Sequence, residues 1–507
     1  MASAQWPPAA KRTAAWSDWL LVAAIAVYLL ANIPYLMAWP PVNGDEGREM
    51  NAFWVASGID PSARNLDPVF QHDPLYKGGL QGFTTGISFR LGGLGLFQGR
   101  IVSLIWGGAL LWSTYLAGRR IVGQAASVLA VLFLAVSQPF LVSSHIVRPD
   151  VMVATLVMLA LWASLRGVET GGRIWHLLSG LLLGLSFDVH PNTLAFMPLV
   201  GLVYVYVHGR RFLVQRDAWI FVAGLGIAAA YYLGARVLPD PVHYLETFQY
   251  WVGVDKRPPL LATRGGSPIQ AELGRWTSYF SHRYLELGVL GIGVVVAGIR
   301  SVRHRCPDLL IAGLAIAITV FTVLVSSKTE FYMILFFPLL TLLLGSALAT
   351  IHEQLTGHRV LAAVAAVALA LGGMGFEDNF RDMVEAASDL KERDYGTLTA
   401  QIEAYIPAGS RVIAPPIYWI GLSNPPYYLD FVDFYVWERV SRERRTSWSE
   451  FLAEINPSYV ILDSKAKYEV TRTGQTRFME DNAELLGSIR HVNYGRVEIW
   501  KMRQGGR

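Results

Sequence analysis

The sequence predicts an α-helical polytopic membrane protein of about eleven transmembrane helices with a C-terminal soluble α/β domain. Three observations predict it. Of 507 residues, 53% are apolar and 16% charged, where soluble domains carry roughly 45–50% and about 25%. The charge is unevenly placed. Residues 379–507 hold 35 of the 82 Asp, Glu, Lys and Arg side chains, 27% of those positions, against 12% of positions 1–378. Long apolar runs recur through the first part only, so a transmembrane domain is expected over 1–378 and an extracytoplasmic soluble one over 379–507.

The first run, Trp19 to Trp39, follows Lys11 and Arg12. It is too long for a signal peptide and no small-residue cleavage site follows it, so it reads as a span. The others cover roughly 97–118, 123–143, 149–165, 174–188, 190–208, 217–238, 284–300, 308–326, 331–351 and 359–377. An odd count puts the termini on opposite sides. With the N-terminus inside, the inside connections hold Lys11/Arg12, Arg119/Arg120, Arg166/Arg173, Arg210/Arg211/Arg216, Arg300/Arg303/Arg305 and Arg359. All are basic, as the positive-inside rule asks of a plasma or inner membrane protein with a cytoplasmic N-terminus. The outside receives the loop 40–96, turns near 145, 189 and 328, the loop 239–283 and the C-terminal domain.

Two stretches of the first outer loop have helical apolar spacing: Met50, Phe53 and Trp54, then Leu80, Phe83, Ile87 and Leu91. Both are too interrupted to span and are expected to lie flat in the interface. In the C-terminal domain, Arg411–Ala414, Tyr459–Asp463 and Arg496–Trp500 read as strands, and Trp448–Ile455 and Arg477–Leu486 as helices. It carries no Gly-rich phosphate loop, HExxH or Gly-x-Ser-x-Gly, so it is expected to support the membrane domain or bind an acceptor. A net charge of +4, with basic residues set between apolar runs, points to no nucleic acid partner. The single cysteine, Cys306, excludes an intrachain disulfide and any multi-Cys metal site.

The unusual polar residues gather at the outer face. Residues 43–58 begin with Asp45 and Glu46, for which the competing reading is a helix N-cap. Residues 71–79 hold His72, Asp73 and Lys77. Residues 143–152 hold His145, Arg148 and Asp150, where Arg148 could simply pair with Asp150 at a helix start. Asp188 and His190 interrupt an apolar hairpin, and Lys328, Glu330 and Tyr332 follow near the next span, with a Lys328–Glu330 pair as the plain alternative. Ionisable groups near hydrocarbon cost about 2.5–3.5 kcal/mol each on insertion scales, so five such turns exceed what topology needs. A shared polar cavity explains them together.

A lipid-phosphate sugar donor suits that inventory. Its phosphomonoester leaving group, with a second pKa of about 6, departs without a proton donor, while Lys or Arg hold the growing charge. The acceptor hydroxyl needs a base, so one carboxylate suffices, unlike the pair used in glycoside hydrolysis.

The ordered elements, Asp-Glu after the first span, a His-x-Pro-Leu-x-Lys element, an Arg-Pro-Asp turn and a late Lys/Tyr/Pro pattern, resemble the GT-C glycosyltransferases. The resemblance is closest to bacterial aminoarabinose lipid A transferases and dolichyl-phosphate-mannose protein mannosyltransferases, and covers about residues 15–350. It implies a GT-C-like membrane domain with Asp45 as base and Glu46 beside it, and it places Lys77, Lys328 and Tyr332 at the donor phosphate. From the outer turns themselves, Asp73 is the next catalytic candidate, Arg148 a further ligand of the donor phosphate, and His72, His190 and Glu330 further site candidates. The implied partners are a polyprenyl-phosphate-linked sugar, a lipid, glycan or protein acceptor, and membrane lipids. Here Asp73 precedes Pro74-Leu75 where a second proline is usual, and Asp188/His190 replaces a frequent lysine, which bears on acceptor identity. No cofactor is required, although a divalent metal is compatible with the chemistry. Two rivals compete. A lipid or solute transporter should show mid-span charges or inverted halves, and a metal-dependent hydrolase would use His72, His145, His190 and His282, none of which share ligand spacing.

Overall fold

The computed structural model describes residues 16–57, 79–252, 267–304, 308–325, 329–355, 358–422, 430–434 and 447–503. The chain forms two compact units. One comprises residues 1–31, 103–144 and 149–382, and the other residues 32–102, 145–148 and 383–507.

The first unit is helical. Among the described residues, six helices are long and apolar enough to cross a membrane, or seven if the bent pair Gln124–Val136 and Gln138–His145 is one span. That pair turns by 64° at Ser137, whose extended backbone ends the first helix just before Pro139, which has no N–H to continue the ladder. Three further apolar helices, Leu21–Tyr35, Leu309–Leu324 and Phe337–His352, are shorter. The protein is a multi-pass membrane protein with six or seven helices of full spanning length among the described residues, fewer by this measure than the eleven spans expected. Small residues set the packing. A Cβ at Gly180 would lie 2.0 Å from the Phe221 carbonyl, and one at Gly224 would lie 2.2 Å from that of Leu177. The Arg173–Val189 and Arg216–Tyr232 helices thus meet backbone to backbone.

The second unit is built on a five-stranded sheet. In chain order the strands are β1 (Arg411–Ala414), β2 (Asp430–Asp433), β3 (Tyr459–Leu462), β4 (Ala483–His491) and β5 (Gly495–Met502). They lie in the order β2-β1-β3-β5-β4. β1 runs parallel to β2 and β3, and β5 antiparallel to β3 and β4. Period-two alternation loads both faces. Val412, Ala414, Tyr459 and Ile461 enter one apolar cluster, and Ile413, Val460 and Leu462 the other.

Two expectations are corrected here, and one strand is added. The Met50/Phe53/Trp54 stripe of the Gly44–Ser57 helix does not lie in the interface, because it is at most 4% exposed and packs into the first of those clusters with Tyr395, Tyr418 and Trp419. The sheet face offers a drier partner than headgroups do. Phe83, Ile87 and Leu91 of the Leu80–Gly92 helix, by contrast, are 63%, 43% and 85% exposed. The helix expected over 477–486 ends at Asn482, and Ala483 begins β4, where pairing with β5 overrides the helical preference of Glu484-Leu485-Leu486. β2 was not foreseen.

Candidate active site

The Gly44–Ser57 helix carries the Asp-Glu motif, and its start explains why the two carboxylates differ. Asn43, not Asp45, caps it: the Asn43 side-chain oxygen accepts from the Asp45 amide at 2.7 Å, and Glu46 reaches back to accept from the Asn43 amide at 3.1 Å. This reciprocal arrangement has the logic of a capping box. Glu46 is fully buried. Arg100 grips it through Nε at 3.0 Å and Nη2 at 2.8 Å, and the Val147 amide donates to it at 2.9 Å. The remaining Arg100 nitrogen donates to the Leu36 and Pro40 carbonyls at 3.0 and 2.8 Å. One buried ion pair therefore ties residues 36–46 to the 145–148 turn. Sequence reading missed Arg100, although an arginine at the head of the apolar run 97–118 was the available signal.

Asp45 is different. Its side chain is 51% exposed and pairs with Arg148, which is 6% exposed. Arg148 thus contacts the motif itself. Asp45 also lines a cavity of about 960 Å³ whose wall includes Asn43, Arg48, Pro415, Pro416, Asp463, Lys465 and Tyr494. Close approach is built in, since a Cβ at Gly47 would stand 2.1 Å from the Pro416 carbonyl oxygen. Arg48 is anchored by buried Asp433, with Nε and Nη2 each 2.9 Å from Oδ2. The Tyr494 hydroxyl accepts from the Val42 amide at 2.8 Å, and burial pushes that phenol well above its ordinary pKa. Burial likewise raises the Asp463 carboxyl, opposed by the Ala466 amide it caps at 2.8 Å.

The other unit holds His190, Glu330 and Tyr332. The His190 and Tyr332 rings are 5.9 Å apart, and His190 Nδ1 accepts from the Asn192 amide at 3.1 Å. Glu330 accepts from the Ser278 hydroxyl at 2.6 Å. Asp188 is buried against Arg236 at 3.0 Å, an arginine that sequence reading left inside a span. His72, Asp73, Lys77 and Lys328 lie outside the described residues. Among the described residues, no group of three or more His, Cys, Asp or Glu side chains could hold a metal ion. His145, one of the histidines of the hydrolase reading, is buried with Nε2 3.1 Å from the Asn32 side-chain oxygen.

The sequence pattern of the dolichyl-phosphate-mannose-protein mannosyltransferase family matches residues 80–233. That stretch includes Arg148, Asp188 and His190 and excludes Asp45 and Tyr332. No curated protein matches in sequence. Among solved structures, ArnT from Cupriavidus metallidurans bound to undecaprenyl phosphate superposes with a TM-score of 0.64 at 16% identity, covering 98% of this chain and 100% of that one. The oligosaccharyltransferase AglB from Archaeoglobus fulgidus, in complex with an inhibitory peptide and a dolichol-phosphate, gives 0.52 at 13% identity, covering 97% and 74%. The resemblance read from the motifs is borne out: the chain has the GT-C fold of these structures, and the family pattern over residues 80–233 indicates a glycosyltransferase.

Proposed function

We propose that the protein moves a sugar from a polyprenyl-phosphate donor to an acceptor on the outer face, with inversion at the anomeric carbon. In this reading Asp45 takes the proton of the acceptor hydroxyl as its oxygen bonds to the anomeric carbon. The bond from that carbon to the phosphate oxygen breaks, and polyprenyl phosphate leaves as a dianion. The observation that carries the reading is the contrast between neighbours: Asp45 is half-exposed beside a cavity, whereas Glu46 is sealed by Arg100. We therefore assign Glu46 a positioning role and leave Asp73 as the alternative base. Lys77, Lys328, Arg148 and Tyr332 are assigned to the donor phosphate. In support, the structural neighbours ArnT and AglB hold undecaprenyl phosphate and a dolichol-phosphate. The reading includes eleven spans, with the N-terminus inside and the C-terminal domain outside.

Asp45→Asn tests it. The variant keeps the shape and cannot accept the proton, so transfer is expected to fall by about 10²–10⁴-fold with donor binding retained. Near wild-type transfer by this variant would move the base to Asp73.

A further inference from the structure

We propose that the cavity beside Asp45 is the acceptor site and that it takes a neutral, hydroxyl-rich carbohydrate. The inference rests on Asp45 being the base. Its position in the sheet is the first argument. Pro415 and Pro416 follow the carboxyl end of β1, and Asp463 to Lys465 follow that of β3. These strands are parallel neighbours, and crevices outside the carboxyl ends of such strands are where open α/β sheets receive ligands. A volume of about 960 Å³ lies at the upper end of the range of small-molecule sites.

Charge selects the ligand. Three carboxylates, Asp45, Asp463 and Glu469, share the wall with two cations, Arg48 and Lys465; Arg48 is bound to Asp433, Asp45 to Arg148 and Glu469 to Arg472, so Asp463 and Lys465 set the local balance. The helix Ser464–Arg472 starts at this wall, and the Asp463 carboxylate occupies its N-terminus, where an anion would otherwise bind. An acceptor phosphate, with about −1.5 to −2 charge, would meet the Asp463 carboxylate at that N-terminus. Hydroxyl groups donate and accept, which suits a wall that mixes carboxylates with Asn43 and Ser464. The Pro415-Pro416 and Tyr494 rings add apolar surface for the carbon face of a sugar.

The test uses the full-length protein in lipid nanodiscs with a labelled polyprenyl-phosphate sugar. Four acceptors are compared: a neutral oligosaccharide, the same oligosaccharide on a lipid, its phosphomonoester, and a hydroxyl-bearing peptide. Ser464→Trp and Lys465→Trp, both at exposed positions, narrow the cavity in two independent ways, with donor affinity as internal reference. The expected result is labelling of the neutral sugars, free or lipid-borne according to their source, with acceptor KM raised about tenfold in each variant, the equivalent of about 1.4 kcal/mol of binding. Preferred labelling of the phosphomonoester or the peptide, or an unchanged KM in both variants, would overturn the inference while leaving Asp45-dependent transfer intact. Loss of donor binding in the wild-type protein would instead remove the glycosyl-transfer reading on which it rests.

Discussion

Replacing both members of the Glu46–Arg100 pair by methionine separates two accounts of what the pair does. If it were only an ion pair, an apolar substitute of similar volume should be neutral or stabilising, as buried pairs often prove. The geometry says otherwise, because the two side chains also satisfy the Leu36 and Pro40 carbonyls and the Val147 and Asn43 amides. Leu36 and Val147 are fully buried. Each buried backbone group left without a partner costs about 1–3 kcal/mol, so the double variant should lose about 2–6 kcal/mol of local stability from these two alone. Arg100→Met by itself strands the Glu46 carboxylate as well, at about 3–5 kcal/mol. Hydrogen exchange in lipid nanodiscs reads this directly, through protection of the amides at residues 43–47 and 147. Equal protection in the double variant and the wild type would refute the hub account and leave an ordinary ion pair.

Gly47→Ala places a Cβ against the Pro416 carbonyl, an overpacking expected to cost about 1–3 kcal/mol; a thermal midpoint equal to wild type would count against that contact. Asp463→Asn keeps an N-cap and removes a carboxylate whose burial raises its pKa above the ordinary 3.8. An acid raised in the folded state binds more protons folded than unfolded, so stability falls as pH rises from the unfolded value through the folded one. The variant should therefore be more stable at neutral pH, with the gain fading toward about pH 4, as pH-resolved melting would show. Reporter fusions after residues 120 and 400 should report opposite sides of the membrane, and the same side for both would reject the proposed topology.

Much of this molecule is legible in its sequence because hydropathy dominates where backbone groups must be satisfied without water. The apolar runs, β1 and the Trp448–Ile455 helix stand where local pattern puts them. What escaped notice depends on distant partners. β4 carries an irregular burial pattern and a register shift between Leu485 and Gly487, so no clean alternation marks it, and only pairing with β5 makes it a strand. The Met50/Phe53/Trp54 stripe is visible as apolar, but its destination is not, because headgroups and a sheet face ask for the same side chains. Arg100 and Arg236 stand within expected spans, near their ends, and their roles show only when Glu46 and Asp188 are seen beside them.

The destination of that stripe bears on the chemistry. A helix lying on headgroups would slide and rotate with the lipid, and a carboxylate at its first turn would be placed only loosely. Anchored by Met50, Phe53 and Trp54 within the core cluster that includes Val412 and Ile461, and held at its start by Asn43 and by Arg100 through Glu46, the helix presents Asp45 from a rigid frame. Successive side chains on a helix diverge by about 100°, so fixing Glu46 inward fixes Asp45 toward the cavity side. Placement of a general base to within a fraction of an ångström governs its effect. In the proposed reaction the C-terminal sheet, which carries no catalytic motif of its own, therefore contributes by setting where the base stands and by forming the wall against which the acceptor is held.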